Sequence, residues 1–512
     1  MVRKRVIALL LLCMLLLGSP TLAEETPVRF ADSVFEALAR DALNRPKGAI
    51  YPSELAVFQA LEMYDGDLQD SVQLYLSIPE TSEAWYWYDG MVRDRPQSFE
   101  DLALFTGLKK LTIRGRTLGP RFTGQVARCT TVTDLTLSGC TLQDMTALAD
   151  MTQLTALSLS YSTFESLAPL STLTALQTLN LDGTTARDFE ALAPLVNLHT
   201  LHAANAGVTD LRWLAGLSRL TALNLSRNTI TNLTPLTGLT RLTALDLTGN
   251  VITDIAPLAG LTKLTTLQLG NNLITDITPI TGLTGLTMLT VNTDAAGREG
   301  LAGLTALQTF SFTAGTQADL NLLSGMTDMR SLSITGNASI TDLTPLSGMT
   351  NMTELTIRDT AAESLAPLSG MLSLEQLWLN TSRVDSLEAL RDMTQLTRLT
   401  LTDACISDLS PLSALTRLSH LVVWRNQITD LSPLAGLKLL RWLDAEANQI
   451  TDLTPLQTLG FQTLSILRLE WNQITDLTPL STYPLSDELQ LTGNPITDWS
   501  PVEHVKSVQG RP

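Results

Sequence analysis

The amino-acid sequence predicts an α/β solenoid with a parallel β-sheet on its inner face, short helical turns on its outer face and a helical cap at its N-terminus. Three observations predict this fold. A unit of 22 residues recurs along most of the chain, as in the consecutive segments 242–263 and 264–285. Each unit carries leucines two residues apart, which is the spacing of one face of a strand. A D-[LI]-x-P-L segment follows, and a repeat of this length is typical of a solenoid.

The strand of each unit supplies the predicted core. Leu245 and Leu247 point to one side of a short strand, whereas Asp246 between them points to the other side. Each strand pairs in parallel with the strand of the next unit, so the leucines stack into a continuous core. No single unit could build that core alone, because each contacts only its neighbours.

In each unit the segment L-x-L-x-x-N ends in a position that is usually polar, and this position recurs about 18 times to form a column. An inward-pointing Asn can supply a carbonyl and an amide to backbone groups that a buried turn would leave unpaired. Smaller polar or polarisable residues replace Asn in some units. The predicted structural ladder comprises Cys140, Asn228, Asn250, Asn272, Asn337, Asn426, Asn448, Asn472 and Asn494.

An Asp column lies four residues beyond the ladder, as at Asp254, and is replaced by Asn232, Ser364 or Ser386 in some units. These side chains differ in charge but all act as helix N-caps. We therefore expect the column to cap an outer helical turn. A calcium ladder is the weaker alternative, because a calcium site needs several convergent carboxylates. The proline three residues later fits the first helical turn.

Five segments are predicted along the chain. Residues 1–23 form a signal peptide, with a basic start, an apolar core and the small residue Ala23 at the cut. Residues 24–58 form the helical N-terminal cap, and residues 59–101 form degenerate opening repeats. About 18 regular coils occupy residues 102–498, and residues 499–512 close the core. Retention of the signal as an uncleaved anchor is the alternative to cleavage.

The charge composition of the chain limits the classes of partner that it is expected to bind. The chain has a formal net charge of −17, and removal of Arg3, Lys4 and Arg5 with the signal leaves −20. An acidic surface repels phosphate backbones, so no nucleic acid is expected, and basic partners are favoured. The mature chain keeps Cys129, Cys140 and Cys405, an odd number that does not indicate a disulfide framework.

The repeated motif L-x-x-L-x-L-x-x-N-x-I-x-D-[LI]-x-P-L-x-x-L resembles the leucine-rich repeats of bacterial internalin-like surface and secreted proteins. The resemblance covers residues 102–508. It implies a leucine-rich repeat ribbon that presents its strand face to a protein partner. It also implies a protein that is secreted or held at the extracellular surface of a bacterial cell.

The candidate binding site lies on the strand face of the later coils, where display positions become larger and more apolar. Parallel strands lie about 4.8 Å apart, so Trp378 and Trp424, two strands apart, fall about 10 Å apart. Tryptophan and arginine in a polar surround are typical of interface hot spots. Scattered surface tryptophans are the alternative interpretation. The predicted partner-binding residues are Arg358, Trp378, Arg398, Val422, Trp424, Arg425, Trp442, Asp444, Glu446, Arg468, Glu470 and Trp471.

The sequence predicts no enzyme, cofactor or metal site. It contains no H-E-x-x-H, no G-x-S-x-G and no phosphate-binding glycine loop. The main alternative to protein binding is a carbohydrate or cell-wall binder that stacks sugars on Trp378, Trp424 and Trp442. The irregular segment 291–320 is expected to be a kink or sequence drift rather than a functional loop.

Overall fold

The computed structural model describes residues 25–65, 72–77, 96–291, 295–380, 383–457, 464–482 and 488–511. The chain divides into two compact units, Met1–Ile252 and Thr253–Pro512. Within the described residues, no helix is long and apolar enough to cross a membrane. The predicted signal peptide lies outside the described residues.

A short helical segment precedes the first strand. Helix α1 (Ser33–Ala42) begins where the Oδ1 of Asp32 accepts the N–H of Val34 at 2.9 Å, and it buries Phe35 and Leu38. Helix α2 (Pro52–Leu55) follows. The carboxylate of Asp101 accepts the backbone N–H groups of Ala31 and Asp32. These bonds attach the helical cap to the first 3₁₀ turn, where Asp101 is buried.

The described residues of the first unit contain eleven strands, most of them in one sheet. The strands are β1 (Ala60–Asp65), β2 (Val72–Ser77), β3 (Lys110–Arg114), β4 (Thr117–Leu118), β5 (Asp134–Ser138), β6 (Thr141–Leu142), β7 (Ala156–Ser158), β8 (Thr178–Asn180), β9 (Thr200–His202), β10 (Ala222–Asn224) and β11 (Ala244–Asp246). From β1, pairing runs in parallel through β3, β5, β7, β8, β9, β10 and β11. Strands β4 and β6 form a separate parallel pair, and helix α3 spans Phe122–Val126.

In the part of the second unit that the structure describes, twelve strands pair in parallel in chain order. The strands are β12 (Thr266–Gln268), β13 (Met288–Thr290), β14 (Thr309–Thr313), β15 (Ser331–Thr335), β16 (Glu354–Arg358), β17 (Gln376–Asn380), β18 (Arg398–Thr402), β19 (His420–Val422), β20 (Trp442–Asp444), β21 (Ile466–Arg468), β22 (Glu488–Gln490) and β23 (Val508–Gln509). Helices α4 (Gln317–Asn321) and α5 (Thr454–Gln457) belong to this unit. The predicted solenoid is therefore confirmed.

The strand leucines form the core in register. Leu421 pairs with Leu443, and Leu443 pairs with Leu467; all three are fully buried. Burying one such side chain stabilises the fold by about 1.5–3 kcal/mol relative to its exposure. Residues between the leucines point away from the core, so they form the display face of each unit.

The predicted Asn ladder makes the hydrogen bonds that buried turns require. The amide of Asn448 donates to the carbonyls of Val423, Ala445 and Glu446 at 2.9–3.1 Å, and its Oδ1 accepts the N–H of Ile428 at 3.1 Å. Asn228, Asn250, Asn426, Asn472 and Asn494 bond similarly across neighbouring coils. Asn272 is half-buried and donates to Leu269. The thiol of Cys140 is buried and donates to the carbonyls of Ile113 and Ser138.

Asn337 departs from the buried ladder because it is exposed. Its amide donates to the carbonyl of Gly315 at 2.8 Å, and its Oδ1 accepts the N–H of Ser339. The sequence here has two residues between the Asn and Ile340, whereas regular coils have one, as in Asn250 to Ile252. The extra residue moves the Asn outward.

The Asp column caps the outer turns. The Oδ1 of Asp254 accepts the N–H of Ala256 at 2.8 Å, and Asn232 and Ser364 make the same bond. These turns are mainly short 3₁₀ helices. They span Glu100–Leu104, Thr146–Asp150, Ala168–Thr172, Phe189–Leu192, Arg212–Leu214, Thr234–Leu236, Ala256–Leu258, Thr278–Ile280, Arg298–Gly303, Thr344–Leu346, Ala366–Leu368, Glu388–Leu390, Ser410–Ala414, Ser432–Gly436, Thr478–Leu480 and Ser500–Val502.

Two irregular regions differ from regular coils. In the opening region, β1 takes the place of the first degenerate strand, but β2 returns antiparallel to it, which the sequence analysis did not predict. The second degenerate motif lies outside the described residues. In the segment 291–320, Arg298 forms an ion pair with the buried Asp319 at 3.1 Å. Asp319 also caps α4 with Thr316, so the segment keeps local structure.

Candidate functional site

Strands β16 to β21 bring the predicted binding residues onto one stretch of the display face. The pairing register places Trp378 beside Thr400, Thr400 beside Val422, and Val422 beside Asp444, which pairs with Arg468. Trp442 lies one position before the first strand leucine of its coil. Trp424 and Glu470 follow the second core position of theirs. The repeat therefore turns residues some 110 positions apart in sequence into near neighbours in space.

Three of the tryptophans lie against arginines. The guanidinium of Arg358 lies 4.3 Å from the ring centre of Trp378, which comes from the next strand. Arg425 lies 4.9 Å from the ring of Trp424. Such cation–π contacts contribute about 0.5–1 kcal/mol at exposed sites. They fix the orientation of large aromatic surfaces that remain open to solvent, since Trp378 is 44% exposed.

The third pair joins Arg468 to Trp442, with the guanidinium 5.0 Å from the ring centre. Arg468 also forms ion pairs with Asp444 at 3.8 Å and with Glu488 at 3.2 Å. One guanidinium thus connects three neighbouring strands, β20 to β22. This network leaves Trp442 half-buried rather than fully displayed.

Trp471 occupies a turn that favours glycine. Its φ of 53° lies in the left-handed region, where other coils place glycine, as at Gly249 and Gly493. A non-glycine residue costs roughly 1–2 kcal/mol there. A Cβ on Gly493 would lie 2.6 Å from the Trp471 ring, so the indole rests on this glycine. The ring is 61% exposed, so this turn presents a large aromatic surface to solvent.

Asp444 corrects one expectation. Its position in the repeat predicts a place on the display face, but Asp444 is buried at 7% exposure. Neighbouring side chains cover it: burial raises the pKa of Asp444, and the N–H of Glu446 and the Arg468 guanidinium act against that rise. Asp444 therefore supports Arg468 rather than presenting a carboxylate to solvent.

The remaining predicted residues keep partial or full exposure. Arg398 and Arg425 are exposed, whereas Val422 and Glu446 are half-buried. Arg425 also contacts Asp403 at 3.3 Å.

Two residues of the site were not predicted from the sequence. The ring of His420 stacks on Trp442, with 6.2 Å between ring centres, and its Nδ1 lies 2.8 Å from the hydroxyl of Ser419. Burial, together with Arg398 and Arg441, lowers the pKa of His420. Glu488 is the other, through its ion pair with Arg468. The repeat alignment could have identified both residues, because His420 and Glu488 occupy the same position in their coils as Trp442.

The described residues show no arrangement suited to metal binding, because no group of three or more His, Cys, Asp or Glu side chains converges on one point there. Cys129 is buried, and burial raises the pKa of its thiol to about 12, so it stays protonated. Cys405 is exposed. The site is thus a surface of aromatic rings and charged side chains.

Comparison with known proteins identifies the repeat. Residues 189–252 match a family model described as leucine rich repeat, and residues 240–282 match one described as leucine rich repeats (2 copies). No curated protein sequence matches significantly. The leucine-rich repeat fold is typically an interaction scaffold.

The solved structures that match this chain include bacterial and plant proteins. An internalin from Listeria monocytogenes, InlF, is 19% identical, with 96% of this chain and 100% of that chain covered and a TM-score of 0.31. The Arabidopsis receptor kinase HAESA, solved with the peptide hormone IDA and the co-receptor SERK1, is 15% identical, with 78% and 84% covered and a TM-score of 0.51. A TDR receptor is 18% identical, with 75% and 66% covered and a TM-score of 0.52.

The two receptor structures share the fold of this chain, and the sequence matches fall on its regular coils. Together with the 22-residue repeat, they show that residues 189–282 carry leucine-rich repeats and that the chain has the leucine-rich repeat fold.

Proposed function

We propose that this chain is an exported protein that binds a protein partner through its inner β-sheet face, at or outside the bacterial cell surface. The observation that carries the proposal is the run of Trp–Arg pairs on neighbouring strands, at Trp378, Trp424 and Trp442. Aromatic anchors with arginine dominate the energy of protein interfaces.

The export part of the proposal rests on the N-terminal sequence. A basic start, a short apolar core and a small residue at position 23 are typical of secretory signals. Internalin-like repeats point to the same compartment.

The chemistry of the face also favours binding over catalysis. An open sheet excludes little water, whereas catalytic carboxylates and nucleophiles need a cleft that shifts their pKa values. Arg358, Arg425 and Arg468 of the face are engaged in ring contacts, and Arg425 and Arg468 also form ion pairs. We therefore propose a non-enzymatic role.

Capture of a partner from host or culture proteins tests the proposal. The mature chain should retain a partner that the double variant Trp378→Ala/Trp424→Ala loses, with a weakening of at least about tenfold. The matched control, Leu372→Ala/Leu439→Ala, removes two exposed apolar side chains outside the strands and should bind normally. Equal binding by the tryptophan variant would contradict the site.

A carbohydrate or cell-wall ligand is the second candidate. The observation that favours it is the open faces of Trp378 and Trp471, since sugars stack on exposed indoles. A glycan array separates the two functions. Strong signal on particular glycans that is lost in Trp378→Ala, without any captured protein, would favour the sugar.

A further inference from the structure

Trp471 differs from the other three tryptophans of the binding face. Trp378, Trp424 and Trp442 each have an arginine of this chain over the ring. Among the described side chains, none places a cation over Trp471, although its ring is the most exposed of the four. The face thus contains three Trp–Arg pairs and a fourth tryptophan, Trp471, whose ring is open to solvent.

Two glutamates lie near Trp471, one in the chain and one in the stack of coils. Glu470 precedes Trp471 in the chain, and Glu446 lies on the neighbouring coil, where the N–H of Ala447 donates to the carbonyl of Glu470 at 2.8 Å. Neither carboxylate forms an ion pair with a described residue. The nearest arginines are engaged elsewhere, Arg468 with Asp444 and Glu488 and Arg425 with Asp403.

The charge of strands β20 to β22 is therefore unbalanced. Among the described side chains of the display face there, four carboxylates (Asp444, Glu446, Glu470 and Glu488) face one guanidinium, a net charge of −3. Burial, and then Glu446 and Asp444, raise the pKa of Glu470. A cation from outside would relieve this repulsion.

Three shielded polar atoms of this face also lack hydrogen-bond partners in the described structure. The Oε2 of Glu470 accepts no hydrogen bond, and the Nε1 of Trp442 and the Nε of Arg468 donate none, although all three are hidden from solvent. Buried polar atoms are normally paired, so each exception points to a missing group. A basic peptide segment carries both kinds of group that are needed, a cationic donor for Glu470 and backbone carbonyl acceptors for Trp442 and Arg468.

The stack of turn residues that contains Trp471 leaves room for a cationic side chain of a ligand. Arg425, Ala447 and Trp471 occupy the same left-handed position in three successive coils. The small Ala447 separates two large side chains that lie about 10 Å apart along the stack. A long cationic side chain can approach the Trp471 ring across this alanine.

We propose that Trp471, Glu446 and Glu470 receive a lysine or arginine side chain of the protein partner. The inference rests on the proposed function and specifies the chemistry of its ligand. Nucleic acids and anionic membranes carry the wrong charge for this surface. A neutral sugar would donate hydrogen bonds to these carboxylates but would leave their charge uncompensated.

A synthetic peptide of alternating lysine and glycine is the probe, and the same peptide with acetylated lysines is its charge control. Fluorescence anisotropy with the full mature chain should show binding of the lysine peptide that weakens as salt is raised. The variant Glu446→Gln/Glu470→Gln should bind about tenfold more weakly, as two partly shielded ion pairs are lost. Trp471→Leu should lose about two- to fivefold, because the ring face is replaced by an apolar side chain.

The control variant Glu363→Gln/Asp385→Asn removes the same number of charges from exposed positions outside the strands and should leave binding unchanged. Equal weakening by this control would show a general charge effect and overturn the inference. So would equal binding of the acetylated peptide. If a captured partner depends on Trp378 but not on Glu446 and Glu470, the inference fails while the proposed function stands.

Discussion

At the scale of single residues, the position of a residue in the coil determines which residue types occur there. The side chain of Asn448 forms the hydrogen bonds that several backbone groups of a buried turn need. This explains why the ladder column contains only residues that can form hydrogen bonds or pack tightly. The sequence indicated these roles because each is local. It could not indicate that Asp444 is buried, since the covering side chains come from neighbouring coils. It also could not reveal the stacking of His420 on Trp442.

The ladder gives a test at this scale. Replacing Asn448 by Ala should lower the free energy of unfolding by about 2–3 kcal/mol, because the N–H of Ile428 and three carbonyls lose a buried partner. Urea denaturation measures the change. The exposed Asn351→Ala is the matched control and should change stability by no more than about 0.5 kcal/mol. Similar effects of the two substitutions would contradict the ladder.

At the scale of the element, each coil is a strand, a ladder turn and a capped outer turn. The sequence predicted these elements because the leucine spacing and the Asp cap recur, and a local pattern repeated many times leaves few alternatives. It failed where the pattern is interrupted. The antiparallel strand β2 and the outward Asn337 both depend on insertions whose effect is settled by packing and not by local preference.

The capped turns imply a particular pH dependence. The hydroxyl and then the backbone N–H of Thr454 lower the pKa of Asp452, and Thr278 does the same to Asp276. A carboxyl whose pKa is lowered by folding stabilises the fold above its unfolded pKa, about 3.9. That stability is lost as the pH falls through the lower folded value.

The thermal midpoint should therefore fall on acidification below about pH 4. Asp452→Ser, which keeps a capping hydroxyl without a titratable group, should show a smaller acid loss than the wild-type chain. Asp444 acts in the opposite direction: because burial raises its pKa, its contribution is greatest at acid pH and is lost as the pH rises through the folded pKa. A midpoint that rises steadily down to pH 3 would contradict the capping account.

At the scale of the whole molecule, stacking converts a repeated sequence into a surface. The residues that face the core are nearly invariant from coil to coil, whereas those on the display face vary, and the cluster of β16 to β21 arises from that variation. The sequence alone predicted which positions are displayed. The ring–guanidinium pairs depend on rotamers and on register between strands, so they required the structure.

The proposed export makes a separate prediction for the molecule. Expressed in a bacterium with its own leader, the mature chain should begin at Glu24, because Ala23 presents the small residue that signal peptidase requires. Mass spectrometry of the secreted or surface fraction gives the N-terminal mass directly. A chain that retains Met1 and fractionates with membranes would instead indicate an uncleaved anchor.

Hydroxyl-radical footprinting of the mature chain, alone and with its captured partner, tests the central claim most directly. The side chains of Trp378, Trp424 and Trp471 should be oxidised in the free protein and protected in the complex. The exposed Leu372 and Leu439, which lie outside the strands, should react equally in both states. Protection of those leucines with unchanged oxidation of the tryptophans would show that the partner binds another face.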